Sequence, residues 1–412
     1  MRACFRSADI LLPKDGTAMD KWAVIACDQY TSQPEYWKQV EDVVGDAPST
    51  LHMIYPEVYL EKENMDGRIH KIQSHMEQYM QDGTLQTRVK DGFILTERTV
   101  SDGVRLGLVG CVDLEAYDFD PAKETLVRAT EGTIASRIPP RVRIRQGASV
   151  ESPHIMLLID DAGKTLIEPL YDMKNELAVA YDTELMMGGG RIKGYEITGE
   201  RAKALNHQLY EMQCASDGFF LAVGDGNHSL ATAKTCWEQL KRQLPEDERK
   251  DHPARYALVE LVNLHDDSLQ FEPIHRVLFD VDFEGLVEEF RASVGHQGME
   301  CQSGEEIVFL SKEGKIGLEL VKAGGRLPVD VLQQFLDDYL SKHQDSSIDY
   351  VHGTEALTEL ALAEGNCGVH LGAIDKSSLF PAIRAGGVLP RKTFSMGEAY
   401  EKRYYMECRL VQ

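Results

Sequence analysis

An unbroken apolar run from Phe219 to Val223 meets Gly224-Asp225-Gly226, and beyond that turn apolar positions recur at Leu230, Ala233, Trp237, Leu240 and Leu244, three and four apart. A short continuous apolar stretch followed by that helical spacing predicts a strand, a tight turn and an amphipathic helix. The same reading places short strands at 22–27, 93–96 and 106–114, the latter two as an antiparallel pair, and a strongly apolar strand at 256–264. Residues 155–160 and 165–167 read as a hairpin closed by Asp161-Ala162-Gly163-Lys164, and Pro34 opens a helix. In Arg137-Ile138-Pro139-Pro140-Arg141-Val142-Arg143-Ile144-Arg145, alternation predicts an extended segment with Arg141, Arg143 and Arg145 on one face. From about Glu284 the pattern gives a helix, strands at 307–310 and 316–321, and a helix at 328–340. A strand at 348–351, a helix at 354–363, a strand at 367–371, a helix at 377–385 and a last strand at 404–410 follow. Strands interleaved with helices imply an α+β or mixed α/β fold, mixed sheets under helical cover.

At 412 residues the chain exceeds one ordinary hydrophobic core. The expected division is a main domain over 1–283, carrying the central loop and the arginine row, and a C-terminal α/β portion over 284–412 contributing to the same cleft. Lys and Arg number 44 against 67 Asp and Glu, a formal charge of −23 that repels nucleic-acid phosphates and anionic membranes. The first residues lack the apolar core of a signal peptide and no window is long enough to span a bilayer, so a cytoplasmic protein is expected. The 8 cysteines contain no C-x-x-C pair, which fits neither a disulfide framework nor a zinc ribbon. Cys27, inside a polar segment, is the one that stands out.

The central turn gathers Asp225, Gly226, Asn227, His228 and Ser229 around the start of a helix, where free N–H groups and the helix dipole attract anions. Asp, Asn and Ser are also ordinary helix caps; a histidine among small residues is what capping leaves unexplained. The arginine row reads either as charge pairing with the surplus acids or as a bidentate clamp for phosphate or carboxylate. His275 and Arg276 in an apolar strand, and His352-Gly353 before the Thr354 helix, repeat weaker versions of the same chemistry. Gly188-Gly189-Gly190 lacks P-loop spacing and reads as a surface turn, as does His265-Asp266-Asp267.

Asp225-Gly226-Asn227-His228-Ser229-Leu230-Ala231-Thr232-Ala233, with 348–353, 272–278 and 389–393, resembles the DUF1015 family over nearly the whole chain. The D-G-x-H element is also similar to the loop of the ParB/sulfiredoxin superfamily, which includes free-serine kinases. That resemblance implies a ParB/sulfiredoxin-like element around the loop, plus an additional α/β lobe, and nucleotide phosphates bound at a helix N-terminus. Ser229 stands where the superfamily carries an arginine, so Arg141, Arg143, Arg145 or Arg276 would have to supply that charge. Cys27-Asp28-Gln29-Tyr30 occupies the place of a P-P-Y-D segment, which carries Asp28 over as a site residue.

The expectation is an enzyme handling a phosphoryl group on a small hydroxylated metabolite, serine or phosphoserine first, in either the kinase or the phosphatase direction. His228 or Asp28 would be the acid or base, and Asp225 would orient His228 or hold Mg²⁺. Gly226, Asn227 and Ser229, the three arginines, His275, Arg276 and His352 would bind ATP or ADP. The alternatives are a sensor that binds a phosphorylated ligand without turnover and a metal-dependent hydrolase. A phosphorylated small molecule is the expected partner, with no nucleic acid and no membrane.

Overall fold

The computed structural model describes residues 2–60, 64–323, 326–390 and 392–412. The fold is α+β, with mixed sheets and, among the described residues, 12 α-helices. The chain folds as two compact units, 1–269 with 398–412, and 270–397. The division thus falls at 269/270, not at the expected 283/284, and 398–412 returns to the first unit.

The first unit is built on a large mixed sheet in which, among the described residues, 11 strands join. Leu85–Val100 and Gly103–Asp113 form the expected antiparallel pair, longer than the apolar pattern alone indicated. Tyr256–Asn263, buried at every position, runs antiparallel to Gly103–Asp113 and parallel to Met156–Ile159. Met156–Ile159 then pairs antiparallel with Leu221–Asp225, whose other neighbour, Val127–Ala129, is parallel. The central strand thus lies inside the sheet, which explains its continuous apolar run.

Three expectations are corrected. Residues 165–167 form no hairpin strand: Asp161 accepts from the Thr165 and Leu166 N–H groups at 2.6 and 2.9 Å, fixing a turn. Residues 22–27 hold only a two-residue strand, Val24–Ile25, after the short helix Met19–Trp22. Ile138–Arg145 is a helix, because Pro139 and Pro140 occupy its first turn, where a missing N–H costs nothing.

In the second unit, Gly314–Val321, Glu300–Ser311, Cys367–Leu371, His275–Phe279 and Ser347–Val351 form a sheet in that order. Helices Phe283–His296 and Pro328–Lys342 pack through Phe290 and Phe335, ring centroids 5.3 Å apart. Among the described residues no helix is long and apolar enough to cross a membrane. Arg391, within the 389–393 stretch that carries part of the family resemblance, lies outside the described residues.

Candidate functional site

Leu221–Asp225 ends in Gly226, which caps the helix Asn227–Lys241 at φ 80°, ψ 27°. Glycine is required here twice over. The left-handed backbone is costly for other residues, and a Cβ would lie 3.0 Å from Ile155 Cα. No side chain caps the helix. The Gly226 N–H donates to Asp225 Oδ1 at 2.8 Å, and the Leu230 N–H is the one that returns to the Gly226 carbonyl, at 3.0 Å. Asn227, His228 and Ser229 therefore fill the turn whose amides have no helical acceptor.

Against this turn stand groups from three distant segments. The Ser229 hydroxyl lies 3.0 Å from His154 Nε2, and Asp28 Oδ2 is 3.6 Å from the same nitrogen. On the other side of the ring, His154 Nδ1 meets the Tyr405 hydroxyl at 2.6 Å, and that hydroxyl accepts from the Cys27 N–H at 3.2 Å. Lys402 Nζ lies 3.3 Å from Asp225 Oδ2. Burial alone would push the Asp225 carboxyl up; Lys402, then His154 and the Gly226 N–H, outweigh it and hold the group below the ordinary aspartate range. Asp225 is thus an anion fixed beside a cation.

Glu57 is raised, chiefly by burial and further by Asp28, although Arg141 pairs with it and pulls the other way. Its N–H donates to the Cys27 carbonyl at 2.8 Å, tying it to the Asp28 segment. Burial, followed by Asp28 and Glu57, pushes the Cys27 thiol up, so it is no ready nucleophile. Arg403 anchors the whole arrangement: it binds Glu260 at 2.6 Å and Glu407, and donates to the Pro153 carbonyl at 3.3 Å, next to His154.

Two expected residues are placed differently from their anticipated roles. His228 Nε2 accepts from the Ile134 N–H at 3.2 Å, so that nitrogen orders the 130–134 loop. Asn227 Nδ2 reaches Thr130 Oγ1 at 3.4 Å, while that hydroxyl donates to the Val223 carbonyl at 2.6 Å. Asn227 Oδ1 is buried with no hydrogen-bond partner among the described residues, as is Thr133 Oγ1.

The arginine row is not a row. On a helix, residues two apart do not share a face. Arg141 pairs with Glu57, Arg143 with Asp66 at 2.5 Å and Arg145 with Glu151 at 2.5 Å, where Arg409 also binds at 2.8 Å. Of the three, Arg141 is the one whose carboxylate partner adjoins Cys27 and Asp28.

His275, Arg276 and His352 belong to the second unit. His275 is stacked on His370 with centroids 4.5 Å apart and accepts from the Leu371 N–H at 3.2 Å. Burial, then His370, Arg276 and His352, lowers its pKa to about 4. Arg276 is fully buried, its pKa lowered by burial to about 10, and it reaches Gln333 at 3.2 Å and the Ile274 carbonyl. His352 is exposed. Among the described residues, no group of three or more His, Cys, Asp or Glu side chains is arranged to hold a metal ion.

Sequence reasoning missed His154, Tyr405, Lys402 and Glu57. The one available signal was Lys402-Arg403-Tyr404-Tyr405, a run of cations and tyrosines that leads into the strand expected at 404–410.

A family model described as "Protein of unknown function (DUF1015)" matches residues 11–339. No curated protein matches the chain. Among solved structures, similarity is found to a free serine kinase in complex with AMP, at 10% identity and a TM-score of 0.38, covering 73% of this chain and 91% of that one. A conserved hypothetical protein from Pyrococcus furiosus gives 10% identity and a TM-score of 0.34, over 69% and 89% of the two chains. SbnI from Staphylococcus aureus, truncated at its C-terminus, gives 9% and 0.36, over 70% and 82%.

Proposed function

Because the chain belongs to the DUF1015 family, whose description assigns no activity, its chemistry has to be argued from the side chains, and we propose that it handles a phosphoryl group on a small hydroxylated metabolite. The observation that carries this reading is the meeting of His154, Asp28, Ser229 and the Asp225–Lys402 pair at the uncapped N-terminus of the Asn227–Lys241 helix. Phosphoryl transfer asks mainly for positioning and for neutralising the charge on the transferred group. The amides of the first helical turn and the Lys402 ammonium supply that neutralisation. His154, flanked by Asp28, moves the proton at the reacting hydroxyl, a role the sequence had given to His228 or Asp28 themselves.

Mg²⁺ suits the same site as a companion of phosphate. It takes one or two carboxylates and completes its shell with phosphate oxygens and water, and Asp225, held ionised, with Asp28 would supply them. Serine or phosphoserine is the first substrate class, with ATP or ADP as the donor in the kinase direction. The free serine kinase solved with AMP makes serine and adenine nucleotides the natural first probes.

The test is phosphorus NMR of the protein incubated with phosphoserine, and separately with serine and ATP or ADP, with and without Mg²⁺. Free phosphate from the first or phosphoserine from the second supports the reading and fixes the direction. Binding by thermal shift with no product in any incubation would replace it with the sensor, and turnover left intact in His154→Ala would remove His154 from the mechanism.

A further inference from the structure

Resting on the phosphoryl-transfer reading, we propose that Ser229 is the nucleophile and carries the phosphoryl group covalently between donor and acceptor. A hydroxyl is a poor nucleophile unless a base within hydrogen-bond reach takes its proton and a third group fixes the base. Each part is present. Ser229 Oγ is 3.0 Å from His154 Nε2, and Ser229 is half-buried. The Tyr405 hydroxyl, 2.6 Å from His154 Nδ1, holds the ring from behind.

For His154 Nε2 to accept the serine proton, Nδ1 must carry the ring hydrogen and donate it to the Tyr405 oxygen. That oxygen accepts from the Cys27 N–H at 3.2 Å, and a phenol oxygen can accept from Nδ1–H as well. When Nε2 gains its proton, the imidazolium forms 3.6 Å from Asp28 Oδ2. Ser229 also belongs to the first turn of the helix, so the developing charge on phosphorus-bound oxygens meets the amides of that turn and the Lys402 ammonium beside Asp225.

The steps balance. In the first, the Ser229 Oγ–P bond forms, the bond from phosphorus to the donor oxygen breaks, and the serine proton passes through His154 Nε2 to that leaving oxygen. In the second, water or an acceptor hydroxyl gives its proton to His154 and attacks phosphorus, and the Oγ–P bond breaks to return Ser229 as an alcohol. No oxidant, reductant or further reactant is needed.

The test has two arms on the intact protein. A fluorophosphonate reports an activated serine whatever the natural substrate: the Oγ–P bond forms and fluoride leaves. Labelling should map to Ser229 by peptide mass spectrometry, vanish in Ser229→Ala and slow on the order of 100-fold in His154→Gln, with both variants shown folded by circular dichroism. In the second arm, acid quenching during turnover of whichever phosphoryl donor is active should trap one phosphoryl group on Ser229. Turnover with no adduct and unchanged rate in Ser229→Ala would overturn the covalent step and leave the phosphoryl reading standing. Labelling at Ser229 without turnover of any phosphoryl donor would keep the nucleophile and overturn the phosphoryl reading. Absence of both labelling and turnover would overturn both.

Discussion

Gly226 and Gly353 each join a strand to a helix, at φ 80° and 79°, and neither helix has a side-chain cap at that end. Each turn carries a histidine and a hydroxyl within a few residues, His228 and Ser229 in one case, His352 and Thr354 in the other. Their surroundings differ. A Cβ on Gly226 would meet Ile155 at 3.0 Å, whereas one on Gly353 would meet nothing within 4 Å. Around the first turn stand His154, Asp28, Tyr405 and Lys402, held by the buried Arg403; His352, Gly353 and Thr354 are exposed. Two turns of like composition thus differ in what long-range folding brings to them: the first gathers an imidazole, a carboxylate, a phenol and an ammonium.

That contrast is sharpened most strongly by turnover. In any phosphoryl assay that registers activity, His154→Ala should lower kcat by on the order of 100-fold or more, and Asp225→Asn comparably, while His352→Ala should stay within about twofold. Equal losses from His154→Ala and His352→Ala would erase the distinction between the turns.

Acid should weaken the second unit. His275 is buried neutral, its pKa lowered from 6.5 to about 4, so between those values the unfolded chain binds the proton and the native one does not. Stability is therefore intact above about pH 6.5 and falls as pH drops toward 4, by about 2 kcal/mol at pH 5. Hydrogen exchange along Cys367–Leu371, which pairs with the His275 strand, should accelerate between pH 7.5 and 5 after correction for intrinsic rates, and His275→Gln should flatten that dependence.

A smaller loss is expected from Gly226→Ala, about 1 to 2 kcal/mol by urea denaturation, from left-handed backbone strain together with the Ile155 contact. Smallest of all is Arg143→Ala. Its pair with Asp66 is exposed at 52% and 80%, so stability should change by less than about 0.5 kcal/mol and turnover not at all. A large effect on turnover would restore Arg143 to the site.

The strand, turn and helix at 219–241 were legible because burial inside a sheet and the apolar stripe of a helix each leave a periodic trace in sequence. Asp225 and Ser229 could be singled out there because the turn carries them. The arginine segment reads as extended because Arg alternates with Val and Ile, yet Pro139 and Pro140, at positions that open a helix, make it helical. His154 left no trace. It is 75 residues from Ser229 and 251 from Tyr405 in sequence, and nothing in its neighbourhood shows that these groups will meet. Lys402 and Tyr405 also lie beyond residue 339, where the family match ends.

The return of 398–412 to the first unit also dictates a timetable. On the ribosome, the Leu221–Asp225 strand and its helix emerge long before Lys402, Arg403 and Tyr405, with all of 270–397 made in between. Until then Glu260 is a carboxylate without its Arg403 partner and the His154 ring lacks the phenol behind it. A nascent chain therefore carries the turn without the side chains that later surround it, and translation must run almost to Gln412 before the first-made half of the protein is finished.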